Sequence, residues 1–436
     1  MLIISLIFYT FGEGILVLLI IASTLIDFYA GKIIEKGFRK QGLRLSIFAN
    51  LSFLVYFKYA AFAFENYYSF LELIGVSNLD WQNIPNIVLP LGISFYTFQT
   101  MSYTIDVYRG NVKANSNLIN FATYVTLFPQ LIAGPIVRYK DIHRQLIDRK
   151  QNTKQFSEGV ERFIIGLAKK MIIANNLAYV ADSIIDIPNS DLHSSAAWIG
   201  ILAYSFQIYY DFSGYSDMAI GLGKMFGFEF LENFNYPYIA KSIRDFWRRW
   251  HISLSTWFRD YLYISLGGNR KGNKRTYINL IIVFFITGLW HGASWNFIVW
   301  GLFHGFFLII ERLGFAKILA KTPKIISHIY TLFIVVIAWV FFRLETLTDA
   351  LNYIKSMFSF NKHPKVDFLS HYLTKEVIMA FVLAILFSFP IYKTITNKLN
   401  NNVYLSIKTL FLLLLFVLST MYIAIDSYNP FIYFRF

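Results

Sequence analysis

The chain has 436 residues, of which 56% are hydrophobic and 15% are charged, and its formal net charge is +14. Soluble domains contain about 25% charged residues, so this composition excludes a string of ordinary soluble domains. The basic residues lie in short loops between apolar runs, which indicates retention on the cytoplasmic side of a lipid bilayer rather than nucleic-acid binding. Because the chain has no cysteine, disulfides, thiolate metal sites and acyl transfer through a cysteine thioester are also excluded.

Apolar runs long enough to cross ~30 Å of hydrocarbon recur along the chain. They predict an all-α polytopic membrane protein with about 10–11 transmembrane helices. One crossing is expected within residues 1–30, and the others near 45–72, 87–105, 156–182, 195–222, 276–291, 295–311, 325–343, 376–393 and 404–426. No repeat relates the two halves of the chain, which weakens a transporter interpretation.

Three basic clusters, at 32–44, 138–154 and 241–275, are expected to face the cytoplasm, with both termini on the other side. This topology leaves no room for a complete crossing by "INFATYVTLFPQLIAGPIVRY". Pro129, Gly134 and Pro135 break any helix in that segment. We therefore predict a re-entrant segment, which is tolerated at membrane depth only if protein buries it.

The most informative cytoplasmic stretch is "IRDFWRRWHISLSTWFRDYLYISLGGNRKG". As one continuous helix it would carry Arg244, Arg248, His251, Ser255 and Arg259 on a single face, with aromatic and aliphatic side chains opposite. Such a basic amphipathic helix is typical of an anchor on anionic lipid. Alternatively, its arginines bind a phosphate-bearing cytosolic donor such as a coenzyme A thioester, because guanidinium groups suit phosphate oxygens.

The apolar stretch "ITGLWHGASWNFIVWGLFHGF" contains the most unusual polar residue of the chain, His291. At ~1.5 Å per helical residue from Thr276, this histidine lies about 22 Å into the bilayer. Gly288 and Gly292 flank it at a spacing that lets another helix approach closely. Ionisable groups at such depth line a pathway or a site, and neutral imidazole is a good general base, so a functional and a structural role are equally supported.

A second histidine, His304, is bracketed by Gly301 and Gly305. On an antiparallel hairpin it lies on the order of 8–9 Å from His291 in depth, and no carboxylate is near in sequence, so we expect no shared metal. A hydrogen bond across helices is the favoured role of His304.

The segment "YSFQIYYDFSGYSDMAIGLGKMFGF" places several polar residues within one predicted span. They are Gln207, Asp211, Ser213, Ser216 and Asp217. Carboxylates are costly there unless they are paired or face water. Either a structural network or part of a polar tunnel explains them.

Together, "FPQLIAGPIVRY", "YYDFSGYSDMAIGLGKMFGFEFLENFNYPY", "FWRRWHISLSTWFRDYLYISLGGNRKG", "LWHGASWNFIVWGLFHG" and the terminal "NPFIYFRF" resemble the membrane-bound O-acyltransferase (MBOAT) family. The match is closest to the bacterial alginate O-acetyltransferase-like branch. The D-alanyl branch shares "FW-x-RWH" and "WFRD" but does not usually carry "LGGNRKG". Relatives usually have one more apolar stretch before the position of Tyr9, so the N-terminal span is expected to be incomplete relative to the family.

The resemblance implies a single membrane domain over 1–436, a ring of tilted helices around a central funnel or tunnel, with a cytoplasmic-side subregion at 230–275. It implies that His291 is the near-invariant family histidine and His251 the second recurrent one. The donor would be acetyl-CoA, a co-substrate rather than a bound cofactor. The acceptor would be an extracytoplasmic polysaccharide hydroxyl, or an SGNH or serine-hydrolase-like acetyltransferase partner that completes the transfer. The location would be the bacterial cytoplasmic (inner) membrane.

The predicted site therefore has two catalytic residues, His291 and His251, and no metal. The imidazole of His291 must be reachable by a thioester from one side and a hydroxyl from the other. Further residues are candidates for donor binding or the tunnel: Arg244, Arg248, Trp250, Arg259, Asp211, Asn296 and His304. D-alanyl or lipid acyl transfer, and a transporter or channel, are the alternative functions.

Overall fold

A computed structural model describes residues 1–76, 87–188, 190–359, 372–391, 401–425 and 431–432. Within these ranges every regular element is helical and no β-strand occurs, which confirms the all-α prediction. Most of the terminal "NPFIYFRF" motif lies outside the described residues, as does the end of the predicted span at 376–393.

Six helical stretches in the described part of the chain are long and apolar enough to cross a membrane, and they confirm a multi-pass membrane protein. They are Leu2–Glu35, Arg39–Leu73, Thr153–Ile185, Trp295–Lys321, Lys324–Arg343 and Leu405–Ile425. The larger number of crossings stays a prediction. Two further helices, Ser194–Met225 and Gly272–His291, are long enough to cross a membrane. Their polar residues make them less apolar than the six stretches above.

The chain divides into two compact units, of which the first comprises Met1–Asn152 and Phe226–Phe230. Its helices are α1 (Leu2–Glu13), α2 (Val17–Glu35), α3 (Arg39–Leu54), α4 (Ala60–Leu73), α5 (Ile93–Arg109), α6 (Leu118–Thr126), α7 (Phe128–Leu131) and α8 (Tyr139–Ile147). Helix α2 packs against α3 and α5. The side chain of Asn50 on α3 donates to Asp27 on α2 and accepts from Thr100 on α5, so polar contacts join the three helices.

The predicted re-entrant segment lies in this first unit and is broken as expected. Helix α6 ends at Thr126, and the short α7 follows with Pro129 in its first turn. Leu127, Leu131 and Ile136 are buried. The helix breaks and the burial that a re-entrant path requires are therefore both present.

The second unit comprises Thr153–Met225 and Leu231–Phe436. Its helices are α9 (Thr153–Ala168), α10 (Asn175–Ile185), α11 (Ser194–Met225), α12 (Ile243–Arg249), α13 (Ile252–Trp257), α14 (Gly272–His291), α15 (Trp295–Ile310), α16 (Ala316–Lys321), α17 (Lys324–Arg343), α18 (Leu347–Met357), α19 (Lys375–Phe387) and α20 (Asn401–Ile425). Turns of π-helix at Lys169–Ala174, Phe258–Tyr263 and Glu311–Phe315 continue α9, α13 and α15.

Helices α9 and α11 form the most extensive helix pair of this unit. Ion pairs join the polar residues of α11 to α9 and the π-helical turn after it. Asp217 pairs with Arg162 and Lys169, each at 2.6 Å, and Asp211 pairs with Lys170 at 2.9 Å. A structural network thus accounts for both carboxylates.

Helices α14 and α15 form the hairpin that carries His291 and His304. The observed bounds agree with the predicted spans at 276–291 and 295–311, apart from four extra residues at the start of α14. A Cβ atom on Gly288 would lie 3.0 Å or less from the carbonyl group of Phe297, and one on Gly301 would lie 3.0 Å from the backbone nitrogen of Gly288. The close helix approach predicted from the glycine spacing is confirmed at these two residues.

The prediction of one continuous basic helix over "IRDFWRRWHISLSTWFRD" is wrong. Helix α12 ends at Arg249, and His251 adopts the left-handed conformation with φ 44° and ψ 55° before α13 begins. Neighbouring chain replaces the helical bonds, because the N–H of Asn235 donates to Arg249 O and that of Ile252 donates to Asn233 O, each at 2.9 Å. His251 therefore leaves the face on which Arg244 lies.

Candidate functional site

The second unit contains a cavity of about 930 Å³. Six cationic residues line it and form what we call the cationic wall: Lys241, Arg244, Arg248, Arg259, Arg312 and Lys324. Five large apolar residues also line the cavity, and we call them the apolar wall: Trp247, Phe258, Leu280, Val283 and Phe284. The cavity therefore combines strong positive charge with a hydrophobic surface.

Three cationic residues expected from the sequence, Arg244, Arg248 and Arg259, all line this cavity. Arg259 forms an ion pair with Asp260 at 2.7 Å. Neither Arg248 nor Lys241 forms an ion pair with any residue of the described ranges. Their charges are thus available to an anion, and guanidinium forks match phosphate oxygens.

Glu311 is the one carboxylate among the described residues that line the cavity. Its two oxygens accept hydrogen bonds from the backbone N–H groups of Ile243 and Arg244, at 2.6 and 3.1 Å. These are the first N–H groups of α12, where the helix dipole favours negative charge. Glu311 therefore positions the helix that carries two of the cationic residues.

His291 does not line this cavity. The lining reaches Thr287, four residues earlier on the same helix, which lies on the same helical face. The ring centroid of Trp300 lies 5.8 Å from that of Trp247 in the apolar wall and 4.8 Å from that of His291. In this structure the indole of Trp300 therefore connects the imidazole to the apolar wall.

The imidazole of His291, at the last residue of α14, has 4% of its surface exposed. Aromatic rings pack around it, with centroid distances of 4.9 Å to Trp290, 4.8 Å to Trp300 and 5.1 Å to Phe342. Such a pocket excludes water from the ring.

His251 is completely buried and does not line the cavity. Its Nδ1 atom lies 3.2 Å from Oδ1 of Asn233. Burial lowers the pKa of the His251 imidazole to about 3, so the ring is neutral at physiological pH. Trp290 packs at 6.0 Å from His251 and at 4.9 Å from His291, which brings both histidines next to one indole.

Local sequence patterns do not identify Asn233 as a partner of His251. It lies in the irregular segment before α12, and because no single helix or strand joins it to His251, their separation of 18 residues does not indicate that the two side chains meet. The only signal is the pair of asparagines in "ENFNYP", in a segment that is otherwise mostly apolar.

His304 is also completely buried, in a box of aromatic rings. Phe246 stacks on it at 6.1 Å, and Trp247 and Trp300 lie at 5.2 and 5.1 Å. The hydrogen bond predicted across helices is wrong, because neither ring nitrogen has a hydrogen-bond partner among the residues the structure describes. The Trp300 ring separates His304 from His291, and the described ranges contain no group of three or more His, Cys, Asp or Glu residues that could hold a metal ion.

The three remaining candidates make structural contacts and do not line the cavity. Trp250 packs against Phe246 and Trp339 at 5.6 and 4.9 Å. Asn296 donates to the carbonyl of Leu344 at 2.5 Å. Asp211, paired with Lys170, also accepts the N–H of Ile432 at 2.9 Å, which fixes a point near the C-terminus.

Comparison with known proteins agrees with the motifs. Residues 49–347 match the model of the MBOAT, membrane-bound O-acyltransferase family. The probable alginate O-acetylase of Azotobacter vinelandii is 41% identical over 99% of this chain and 93% of its own length. The peptidoglycan O-acetyltransferase of Helicobacter pylori is 36% identical over 99% of this chain and 90% of its own. The teichoic acid D-alanyltransferase of Bacillus subtilis is 31% identical over 50% of this chain and 58% of its own.

The matched region contains the cavity arginines, both histidines at Trp290 and the α14–α15 hairpin. The family model matches more than half of the chain, and two relatives align along nearly all of it, so the family of the chain is established. The chain belongs to the membrane-bound O-acyltransferase family.

Proposed function

We propose that this acyltransferase moves an acetyl group from acetyl-CoA in the cytoplasm to a hydroxyl group outside the bacterial inner membrane. The acceptor is an extracytoplasmic polysaccharide or an SGNH-type partner that completes the transfer. The two relatives aligned over 99% of this chain are named for O-acetyl transfer, whereas the D-alanyl relative aligns over 50%. This difference favours acetyl as the group transferred.

The cavity of about 930 Å³ is the observation that carries the proposal. Acetyl-CoA has a phosphate-rich nucleotide end and a long, nearly uncharged arm that ends in the thioester. The cationic wall suits the phosphates, and the apolar wall suits the arm. The lining extends to Thr287, which lies one helical turn from His291. The cavity therefore comes close to the proposed base.

In the proposed reaction the acceptor oxygen attacks the thioester carbonyl while His291 takes the hydroxyl proton. The C–O bond forms, the C–S bond breaks, and the proton passes from the imidazole to the leaving thiolate. General-base help of this kind contributes ~10²–10⁴ in rate. Holding both reactants in place supplies the rest, since effective molarities reach ~10⁵ M or more.

The aromatic packing around His291 adds a requirement to this mechanism. The thioester must reach an imidazole that does not line the cavity, and the ring of Trp300 packs both on that imidazole and on Trp247 of the apolar wall. In the resting arrangement the same rings keep water away, which protects the thioester from hydrolysis.

The test is transfer of radiolabelled acetyl from acetyl-CoA in inverted membrane vesicles, whose cytoplasmic face is accessible to the donor. His291→Ala is expected to lower the rate at least ~10²-fold, the contribution of a general base, with normal amounts of protein in the membrane. His193→Ala is the matched control, because His193 is another buried histidine of the second unit and does not line the cavity. Near-normal transfer by His291→Ala contradicts the proposal.

D-alanyl transfer is the second candidate, favoured by the 31% identity to the Bacillus subtilis enzyme. Supplying vesicles with a labelled D-alanyl thioester or labelled acetyl-CoA separates the two. Label on membrane lipid in place of polysaccharide or protein would identify a lipid acyltransferase.

A further inference from the structure

Asn233 holds the chain segment that contains His251 through both its backbone and its side chain. Its carbonyl accepts the N–H of Ile252 at 2.9 Å. Its amide nitrogen donates to Ser216 on α11 at 3.1 Å, and its amide oxygen faces Ser253 and His251. One buried side chain therefore joins three segments of the second unit.

The orientation of the Asn233 amide follows from its partners. The backbone N–H of Ser253, which can only donate, points at Oδ1 from 3.2 Å. The hydroxyl of Ser253 donates to the same oxygen at 2.9 Å. Rotating the amide by half a turn would bring its NH₂ group against that backbone N–H, an arrangement of two donors that forms no bond.

This orientation determines which nitrogen of His251 carries the hydrogen. Nδ1 lies 3.2 Å from Oδ1, and an amide oxygen only accepts, so Nδ1 must be the donor. A neutral imidazole has a single N–H, and Nε2 is therefore the nitrogen with the lone pair. The low pKa that burial gives His251, about 3, keeps the ring in this neutral form.

The backbone at His251 shows that this geometry is imposed by its surroundings. A left-handed conformation at a non-glycine residue costs roughly 1–2 kcal/mol, and His251 has φ 44°. Such strain persists only where surrounding contacts over-determine it, and it concentrates at functional sites. Here the contacts are the bonds from Asn233 to His251, Ile252 and Ser253, together with the bond from the N–H of Asn235 to Arg249 O on the other side of the strained residue.

We infer that Asn233 is a positioning residue that fixes His251 as the Nδ1–H tautomer, so that Nε2 accepts a hydrogen bond from the substrate hydroxyl. The inference rests on the proposed function, in which His291 is the base, and it adds His251, whose ring packs against the same indole of Trp290 as that of His291. Asn233 itself does not touch the substrate. It acts through His251.

The charged groups nearest along α11 do not compete for this imidazole. Asp211 is paired with Lys170, and Asp217 with Arg162 and Lys169. Between them lies Phe212, whose ring packs edge-on against His251 at 4.6 Å. The polar groups held against Nδ1 are thus neutral, the amide oxygen of Asn233 at 3.2 Å and the hydroxyl of Ser253 at 3.5 Å.

Solid-state nitrogen NMR of the ¹⁵N-histidine-labelled protein in lipid tests the tautomer without any activity measurement. The signals that disappear in His251→Gln belong to His251. We expect its Nδ1 to be protonated in the unchanged protein, and the protonated fraction at Nδ1 to fall in Asn233→Leu. A proton on Nε2 in the unchanged protein, or an Nδ1–H signal that survives in a folded Asn233→Leu, overturns the inference.

Asn233→Asp tests the consequence for the reaction and keeps an acceptor oxygen for Ser253, so it is the variant expected to fold. Its carboxylate stabilises the imidazolium form and raises the pKa of His251. Protonation removes the Nε2 lone pair, so kcat should fall on the acid side at a higher pH than in the unchanged protein and approach the original value at high pH. KM for acetyl-CoA should stay the same, since the cavity is untouched. An unchanged pH profile in a stably inserted Asn233→Asp overturns the inference.

The two experiments fail in different ways. If His251→Gln keeps full acetyl transfer, the proposed role of His251 is wrong, whatever the NMR shows. If His251→Gln is inactive but His251 has its proton on Nε2, the proposed function stands and the role of Asn233 is wrong.

Discussion

Replacing Gly301 with alanine should disturb both the stability of the protein and its catalytic rate. The added Cβ would lie 3.0 Å from the backbone nitrogen and 3.1 Å from the Cα of Gly288, and closer still to the carbonyl oxygen of Phe284. These are all backbone atoms, so the clash is relieved only if α14 and α15 move apart. Overpacking of this kind costs about 1–3 kcal/mol, which a lower melting temperature in detergent would report.

The same displacement should reach the reaction, because His291 lies one turn beyond Gly288 on α14. A misplacement of ~1 Å in a reacting group lowers rates by on the order of 10²-fold. We therefore expect kcat for acetyl transfer to fall by about this factor. KM for the donor should rise as well, because Leu280, Val283 and Phe284 of α14 belong to the apolar wall of the cavity.

Gly305→Ala is the matched control, one turn further along the same helix. Its Cβ would meet the Cβ and Cγ of Phe284 at 3.1 and 3.5 Å, a side chain that can tilt. Its effects on stability and kcat should be clearly smaller. A Gly301→Ala protein with the original melting temperature and kcat would show that the glycine contact does not hold His291 in position.

Three further outcomes follow from the structure. Arg248→Ala should raise KM for acetyl-CoA about 10–100-fold with little change in kcat, because a hydrogen bond to a charged group contributes ~1.5–3 kcal/mol; an unchanged KM in donor titrations would place the phosphates elsewhere. Burial lowers the pKa of His251 to about 3 from its usual 6.5, so between these values the unfolded chain binds a proton that the folded protein excludes. The contribution of His251 to stability is therefore full above pH 6.5 and falls below it by up to about 1.4 kcal/mol per pH unit, and thermal melts of His251→Gln should show a pH slope that is smaller by this amount. Asp211→Asn should destabilise the protein by about 3–5 kcal/mol by leaving Lys170 without its carboxylate, and pairing Asp211→Leu with Lys170→Met should restore most of the loss; reduced activity at unchanged stability would instead indicate a polar tunnel.

Much of the architecture follows from local sequence signals. Apolar length predicts α11 and the α14–α15 hairpin to within a few residues, and Pro129 marks the break in the re-entrant segment. Arg244, Arg248 and Arg259 were predicted from their common face on one continuous helix, and they line the cavity although that helix is broken at His251; Arg312, which also lines it, was not predicted. Each of these signals acts within a few residues of the chain.

The errors arise where distant contacts override local preference. Nothing in "RRWHIS" breaks a helix, since it contains neither glycine nor proline, yet His251 is left-handed because Asn233 and Asn235 bond to the chain on both sides of it. His304 is a second case, since its aromatic box is built from α12 and α15 together. Sequence spacing carries no information on which residues meet across such distances.

The hydrogen bonds of Glu311 have a consequence for communication within the site. This carboxylate immediately follows α15, the helix of Trp300 and His304, and it holds the first turn of α12, which carries Arg244 and Arg248. An anion that draws these arginines toward itself therefore also exerts a force on the end of α15. Binding of an anion at the cationic wall is in this way coupled to the position of α15, and so to Trp300, whose indole packs on His291.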